Sequence, residues 1–207
     1  MKQKLNLDTW NRTEHFLFFK QMEEPFFGIT TIIDCTNPYN KAKALNISFF
    51  AYYLHKTLVA VNSIENFRYR IIEDEIYIFD TIDASATILR EDKTFGFSLI
   101  KYSNEINNFA EITKTEIARI QTTTGLFTSD FHENLIHFSA LPWVNFTSFS
   151  HARSFTWPDS CPKVSFGKII EENGKKTMAM SVHVHHGLID GYHVGEFVNL
   201  FQELMNT

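Results

Sequence analysis

The residues best suited to chemistry lie near the C-terminus, where several histidines precede an aspartate. His183, His185 and His186 are followed by Asp190 and Gly191. Such a segment allows two kinds of site. A zinc site needs several nitrogen donors that converge on one ion, and a His-x-His pair on a strand does point two imidazoles to one face. An acid–base site needs only one positioned imidazole whose pKa lies near neutrality.

Strand geometry separates His186 from the other two histidines. Side chains alternate between the two faces of a strand, so His183 and His185 share one face and His186 points to the other. The three rings therefore cannot bind one metal together. A tight loop follows and Gly191 opens a helix, so we expect His186 at the rim of a sheet, within reach of a substrate. This arrangement favours acid–base chemistry over zinc, and it leaves Asp190 to bind a cation elsewhere and hold the loop.

These residues must be positioned by a mixture of helices and strands. Apolar residues at three- and four-residue spacing predict helices, and short runs rich in β-branched residues predict strands. The predicted helices cover residues 10–20, 48–64, 105–121 and 191–204. The predicted strands cover residues 27–35, 67–72, 75–79, 85–89, 94–100, 135–140, 163–171 and 175–185. We expect Asp8 or Thr9 to cap the first helix, and Asn173 with Gly174 to turn the last hairpin. The class is α/β or α+β with a mixed β-sheet.

Composition and charge exclude several classes of protein. The chain has 207 residues, of which 44% are apolar and 21% charged, and this predicts one globular domain over residues 1–207. The net charge is −5 and no run of Lys or Arg occurs, so we expect neither a nucleic-acid partner nor a membrane partner. The 21 Phe residues predict either a Phe-rich core or a flat aromatic slot for a planar substrate.

Cysteine usage and hydropathy predict a cytoplasmic location. Cys35 and Cys161 are the only cysteines and belong to no CxxC motif, which is typical of free thiols in a reducing cytosol. The N-terminal residues lack the apolar segment of a signal peptide. The most apolar stretch, residues 47–61, is interrupted by His55 and Lys56 and is too short to span a bilayer.

Four segments of the chain resemble motifs of the chloramphenicol acetyltransferase family. Residues 10–16 (WNRTEHF) resemble the family's opening motif, and residues 126–127 and 139–146 (SALPWVNF) resemble its central motifs. Residues 184–194 (VHHGLIDGYHV) resemble its catalytic segment. The motifs occur in the family's order, and the resemblance extends over nearly the whole chain.

This resemblance implies a reaction and an assembly. The fold would be a two-layer sandwich, and three copies would form a homotrimer with active sites in the clefts between subunits. Each site would transfer an acetyl group from acetyl-CoA to a hydroxyl of chloramphenicol or a related small molecule, without a metal. His186 would be the general base and Ser139 the donor to the oxyanion. Arg12 and Asp190 would form an ion pair that braces the catalytic loop, and Trp143 would line the coenzyme A channel.

The resemblance also implies an acceptor pocket that differs from the family pattern. Its residues would be Phe19, Phe27, Phe95, Phe97, Phe127 and His151. Phe27, Phe95 and Phe127 match the family's aromatic lining. Phe19 stands at a tyrosine position, His151 at a leucine position and Phe97 where a small residue is usual. These changes alter the pocket but leave the residues of the transfer chemistry intact.

Other functions stay open at this stage. The chain could be a non-catalytic small-molecule binder that keeps the trimeric fold, or an acyltransferase for a different alcohol. It could also be the catalytic core of a dihydrolipoyl acyltransferase, although that core usually has Asp before its catalytic histidine, where this chain has His185. His15, His55, His132 and His137 belong to no motif, and we expect no role for them.

Overall fold

A computed structural model describes residues 1–154 and 159–207, in which helices and strands are intermixed along the chain. The helices are α1 (Thr13–Phe19), α2 (Thr36–Ala44), α3 (Phe49–Ser63), α4 (Ile106–Thr122) and α5 (Gly191–Asn206). The strands are β1 (Lys2–Lys4), β2 (Phe26–Asp34), β3 (Tyr69–Ile72), β4 (Glu75–Phe79), β5 (Asp83–Leu89), β6 (Phe95–Phe97), β7 (Leu135–Ala140), β8 (Lys163–Phe166), β9 (Ile170–Glu172) and β10 (Lys175–His185). Within the described residues, no helix is both long and apolar enough to cross a membrane.

The strands form one large sheet and one small sheet. The strand order of the large sheet is β2-β10-β8-β7-β5-β6, and β9 pairs with β10 beside this path. β7 runs parallel to β5 and β8, whereas the other pairs are antiparallel. The mixed sheet predicted from the sequence is therefore confirmed. The small sheet has the order β1-β4-β3.

The two faces of the large sheet differ in chemistry. On one face the apolar side chains pack on helices: the ring centroids of Phe138 and Tyr53 of α3 are 5.8 Å apart, and those of Phe166 and Phe201 of α5 are 5.5 Å apart. On the other face Ser139 of β7 lies in register with Ser165 of β8. The period of two along each strand puts apolar residues towards the helices and leaves polar residues on the opposite face.

The phenylalanines divide between the core and the lining of a cavity. Seven of them are almost fully buried in the core, where each stabilises the fold by about 1.5–3 kcal/mol relative to an exposed side chain. These are Phe16, Phe67, Phe109, Phe138, Phe166, Phe197 and Phe201. Others lie around a cavity on the polar face, described below. Different phenylalanines thus form the core and the aromatic lining of the cavity.

Most predicted elements are present, with three corrections. The first helix begins at Thr13, and its N-cap is Arg12 without a side-chain hydrogen bond. The expected cap from Asp8 or Thr9 is wrong, because these residues form a preceding turn in which the Asp8 amide donates to Asn6 Oδ1. The predicted strand 163–171 is two strands, β8 and β9, which pair with different parts of β10.

The third correction is that the sequence prediction omitted β1 and α2. All three residues of β1 are exposed, so the strand carries no alternating pattern. In α2 only Pro38 and Ala42 are buried, so the helix lacks an apolar stripe. By contrast, Asn173 and Gly174 turn the hairpin between β9 and β10 with φ values of 51° and 75°. Positive φ at both residues is the geometry that an Asn-Gly pair favours.

An ion pair joins the two ends of the chain at the base of the last helix. Arg12 Nη1 donates to Asp190 Oδ2 at 2.8 Å, and Arg12 Nη2 donates to the carbonyl oxygen of His186 at 3.3 Å. Asp190 is also the N-cap of α5, where its side chain accepts from the Tyr192 amide and contacts the ring of His193. One guanidinium thus holds both the helix cap and the backbone of His186.

The environment of Asp190 favours its charged form. Partial burial acts against ionisation, but the hydrogen bond from Arg12 and the nearby His193 outweigh it and lower the pKa of Asp190 to about 2. The ordinary value is 3.8. A carboxyl whose pKa is lower in the folded state contributes stability above its unfolded pKa, and this contribution disappears as the pH falls through the folded pKa. The ion pair should therefore stabilise the fold at neutral pH and weaken between about pH 5 and pH 2.

We predict that Asp190→Asn lowers the free energy of unfolding at pH 7 by about 2 kcal/mol, the amount that corresponds to this pKa difference. As the pH falls from 5 towards 2, the variant and the wild type should converge, because the wild-type carboxyl becomes protonated. Denaturant unfolding at a series of pH values measures both effects. Asp130→Asn, which removes an exposed carboxyl, is the control. A difference that stays constant with pH would contradict the assignment.

Candidate active site

His186 directly follows the last residue of β10, an internal strand of the large sheet, and so lies where that strand ends. Its amide donates to the carbonyl oxygen of Pro25 at 2.8 Å, which ties this end of β10 to the start of β2. Phe27 of β2 pairs in register with Val184 of β10, and Val184 is buried in the core on the helix side of the sheet. The ring of Phe27 contacts the ring of His186 at a centroid distance of 4.5 Å. His186 therefore points to the helix side, as strand alternation predicts.

The imidazole of His186 is held between aromatic rings. The ring of Phe19, at the end of α1, stacks on it with a centroid distance of 4.0 Å and an interplanar angle of 6°. The Nδ1 atom of His186 is buried and has no hydrogen-bond partner within the described part of the chain. This burial leaves Nε2 as the ring nitrogen that a substrate can approach. Two aromatic contacts and a tied backbone thus restrict the ring while one nitrogen stays open.

Ser139 lies on the opposite face of the sheet, in the wall of a cavity of about 720 Å³. The cavity is formed by the polar face of β5, β7 and β8 together with parts of the segments 127–133 and 151–161. It is large enough for a drug-sized molecule. Ser139 is half-buried and belongs to β7, whose other face contributes Phe138 to the core.

Within one chain, Ser139 and His186 are far apart. Ser139 is in register with Ser165, which is in register with Ser181 of β10. His186 lies five residues beyond Ser181. With regular strand dimensions, the backbone positions of Ser139 and His186 are separated by about 16 Å along the strand and by about 10 Å across two strand spacings. The two side chains also point to opposite faces, so a single copy does not bring them together.

The residues predicted for the site fall into two groups. One group surrounds His186 and consists of Phe19, Phe27, Arg12 and Asp190. The other group lines the cavity and consists of Ser139, Phe95, Phe97, Phe127 and His151. Trp143 belongs to neither group: it is 65% exposed and does not line the cavity.

Several cavity residues were not predicted. His132 and His137, for which we expected no role, both line the cavity. Its lining also includes charged side chains, among them Lys163, Asp159 and Arg153. Strand alternation could have indicated His137, because it is two residues before Ser139 on β7 and therefore shares its face. Asp159 and Lys163 follow no periodic pattern, and only the fold brings them to this face.

The other histidines of the motif lie on the polar face. The ring centroids of His183 and His151 are 5.0 Å apart, and the ring of His185 contacts Phe26. Burial lowers the pKa of His151 and of His185 to about 4, so both rings are neutral at neutral pH. Within the described ranges, no group of three or more His, Cys, Asp or Glu residues is arranged to hold a metal ion.

Comparison with known proteins matches this architecture to one family. The family model described as chloramphenicol acetyltransferase matches residues 2–202. The chain is 33% identical to chloramphenicol acetyltransferase 3 of Escherichia coli, over 99% of this chain and 97% of that protein. A solved chloramphenicol acetyltransferase structure superposes with a TM-score of 0.92 at 31% identity, over 99% of this chain and 100% of the other.

A more distant structure shares the fold alone. A dihydrolipoamide acetyltransferase of Azotobacter vinelandii superposes with a TM-score of 0.67 at 10% identity, over 88% of this chain and 82% of the other. The resemblance inferred from the four motifs is confirmed by the family match over almost the whole sequence. The chain belongs to the chloramphenicol acetyltransferase family, and it is therefore an acyltransferase.

Proposed function

We propose that this protein transfers the acetyl group of acetyl-CoA to a hydroxyl of a small molecule, with His186 as the general base. The observation that carries the proposal is the environment of His186, whose ring is held between Phe19 and Phe27 with one nitrogen open. A restrained imidazole with one free nitrogen suits proton abstraction from an alcohol. Chloramphenicol, the acceptor in the names of the relatives, is the first acceptor to test.

The reaction follows from the chemistry of a thioester and an alcohol. With the ring proton on Nδ1, His186 Nε2 accepts the hydroxyl proton as the alcohol oxygen attacks the thioester carbonyl. The carbonyl oxygen becomes an oxyanion, and the Ser139 hydroxyl donates a hydrogen bond to it. Collapse of this intermediate breaks the carbon–sulfur bond, and coenzyme A leaves with the proton that His186 had taken. The products are the acetyl ester and the free thiol, and no metal takes part.

The separation of Ser139 from His186 supports a site that two copies form together. A homotrimer would pair the cavity of one subunit with His186 of its neighbour. The chain also exposes large apolar side chains that a neighbouring copy could cover. Among them are Phe18, Ile32, Phe127 and Tyr192. Trp143, also exposed, is our candidate for the wall of the coenzyme A channel.

The first prediction for this function concerns the base. His186→Ala should lower kcat by a factor of about 10² to 10⁴, the usual contribution of a general base. Release of free coenzyme A from acetyl-CoA, with chloramphenicol as acceptor, measures the rate. His15→Ala removes an exposed imidazole on α1 and serves as the matched control. A His186→Ala enzyme with near wild-type kcat would rule out the role as base.

The second prediction concerns the shared site. Ser139→Ala should lower kcat about 100-fold, and each single variant should be nearly inactive by itself. When both variants are produced together, each interface of a cyclic trimer has a chance of about one in four of receiving both intact residues. Activity should therefore recover to about a quarter of the wild-type value.

Separately produced and then mixed variants, without subunit exchange, provide the control for this experiment. The molar mass in solution, measured by light scattering, tests the trimer directly. No recovery in co-produced trimers would mean that the two residues do not act across an interface.

A further inference from the structure

The cavity that contains Ser139 has an aromatic end. Phe95, Phe97, Phe127 and Phe131 line it, and their rings contact one another at centroid distances of 5.5–6.4 Å. Flat rings in such contacts make a surface that suits a planar apolar group. In the single chain this end is open, since Phe127 is 73% exposed.

The other end of the cavity contains buried charges. Lys163 on β8 is only 5% exposed, and its ammonium group pairs with Asp159 and donates to the Cys161 carbonyl oxygen at 3.1 Å. The ammonium nitrogen also lies 4.6 Å from the centroid of the Phe26 ring, so among the described residues it has two oxygen acceptors for its three N–H groups. Arg153 lies 3.9 Å from the same Asp159 carboxylate and pairs with Glu24. The Asp159 carboxylate therefore interacts with both Lys163 and Arg153.

Arg70 adds a third positive charge, which among the described residues has no carboxylate in direct contact, although Asp159 acts on it at longer range. It lines the cavity and is 1% exposed. Its guanidinium donates to backbone carbonyl oxygens, including those of Glu133 and Leu135. No carboxylate of the described chain lies within 4.0 Å of it, and residues 155–158 carry no ionisable side chain.

The buried side chains at this end of the cavity therefore carry a net positive charge. The carboxylates of Glu24 and Glu133 belong to residues that are exposed to solvent, which screens them, whereas the cations of Arg70 and Lys163 are buried. The same positive groups affect the ionisation of the Cys161 thiol. Burial acts to raise its pKa, but His137, Arg70 and Lys163 outweigh burial and lower the pKa of the thiol.

We propose that the preferred acceptor carries an anionic group, such as a carboxylate, joined to a flat apolar ring, and that Lys163 attracts this group. The proposal rests on the acetyltransferase function. Lys163 is in register with His137, two residues before Ser139 on the neighbouring strand, so its Cα lies about 7 Å from that of Ser139 along the strand and about 5 Å across to the next strand. This separation fits a small aromatic acid whose hydroxyl is at Ser139. Chloramphenicol, which is neutral, would leave the positive end unmatched.

A matched pair of ligands tests the charge alone. The carboxylate para-(hydroxymethyl)benzoate and the amide para-(hydroxymethyl)benzamide have the same ring, the same hydroxyl and nearly the same shape. Calorimetry on the intact oligomer, without acetyl-CoA, measures both dissociation constants. Thiol release with acetyl-CoA measures both transfer rates. We expect the wild type to bind the carboxylate about 10-fold more tightly than the amide, which corresponds to one favourable charged contact.

A charge series at Lys163 and Asp159 gives the matched controls. Lys163→Met removes one positive charge and should lower the carboxylate-to-amide preference by about 10-fold. Asp159→Asn removes one negative charge and should raise it. The double variant restores the wild-type net charge and should return the preference towards the wild-type value. Lys163 is buried, so if Lys163→Met does not fold, the wild type and Asp159→Asn still decide the question.

The possible outcomes distinguish the hypothesis of an anionic acceptor from the hypothesis of an acetyltransferase function. A wild-type preference of one or less, or one that does not rise in Asp159→Asn, would overturn the anionic acceptor. Tighter binding of the carboxylate without acetyl transfer to either alcohol would support the anionic site and count against the acetyltransferase function. Transfer to both alcohols at equal efficiency, with equal affinity, would keep the function and reject the inference about the acceptor.

Discussion

The ion pair between Arg12 and Asp190 is the contact on which the geometry around His186 depends. Asp190 caps the last helix, and the same guanidinium that pairs with it also binds the His186 carbonyl oxygen. The arginine side chain is 9% exposed, so loss of its partner would leave a nearly buried charge without compensation, at a cost of about 1–3 kcal/mol or more. The first helix, which follows Arg12, ends at Phe19, whose ring stacks on His186. The stability of the fold and the position of the His186 imidazole therefore both depend on this ion pair.

The alternation of side chains across the large sheet divides the chemistry between its two faces. His186 points to the helix side with Phe27, whereas Ser139 belongs to the polar face and lines the cavity. An acyltransferase needs a base and an oxyanion donor around one carbonyl carbon. A sheet that holds these groups on opposite faces reaches that geometry most simply by combining two copies. The proposed trimer would meet this requirement, because it would bring the polar face of one copy to His186 of another.

The cavity combines an aromatic wall with a buried positive end, and these two features select for different parts of an acceptor. Aromatic rings bind planar groups of many kinds. A buried charge is more selective, because a ligand that does not match it must be desolvated without compensation. We therefore expect Lys163, Asp159 and Arg70 to have more influence on the choice of acceptor than the phenylalanines of the aromatic wall.

The sequence by itself predicted most of the elements and singled out His186 as the candidate base. Period-two and helical patterns located most of the strands and helices, the Asn173-Gly174 pair located a hairpin, and alternation along β10 separated His186 from His183. These features are local, because neighbouring residues encode them through backbone geometry. The family resemblance implied that Arg12 pairs with Asp190, but only the tertiary structure shows this contact across 178 positions and the buried positive end beside Ser139. Such contacts depend on how distant segments pack, and no local pattern specifies that.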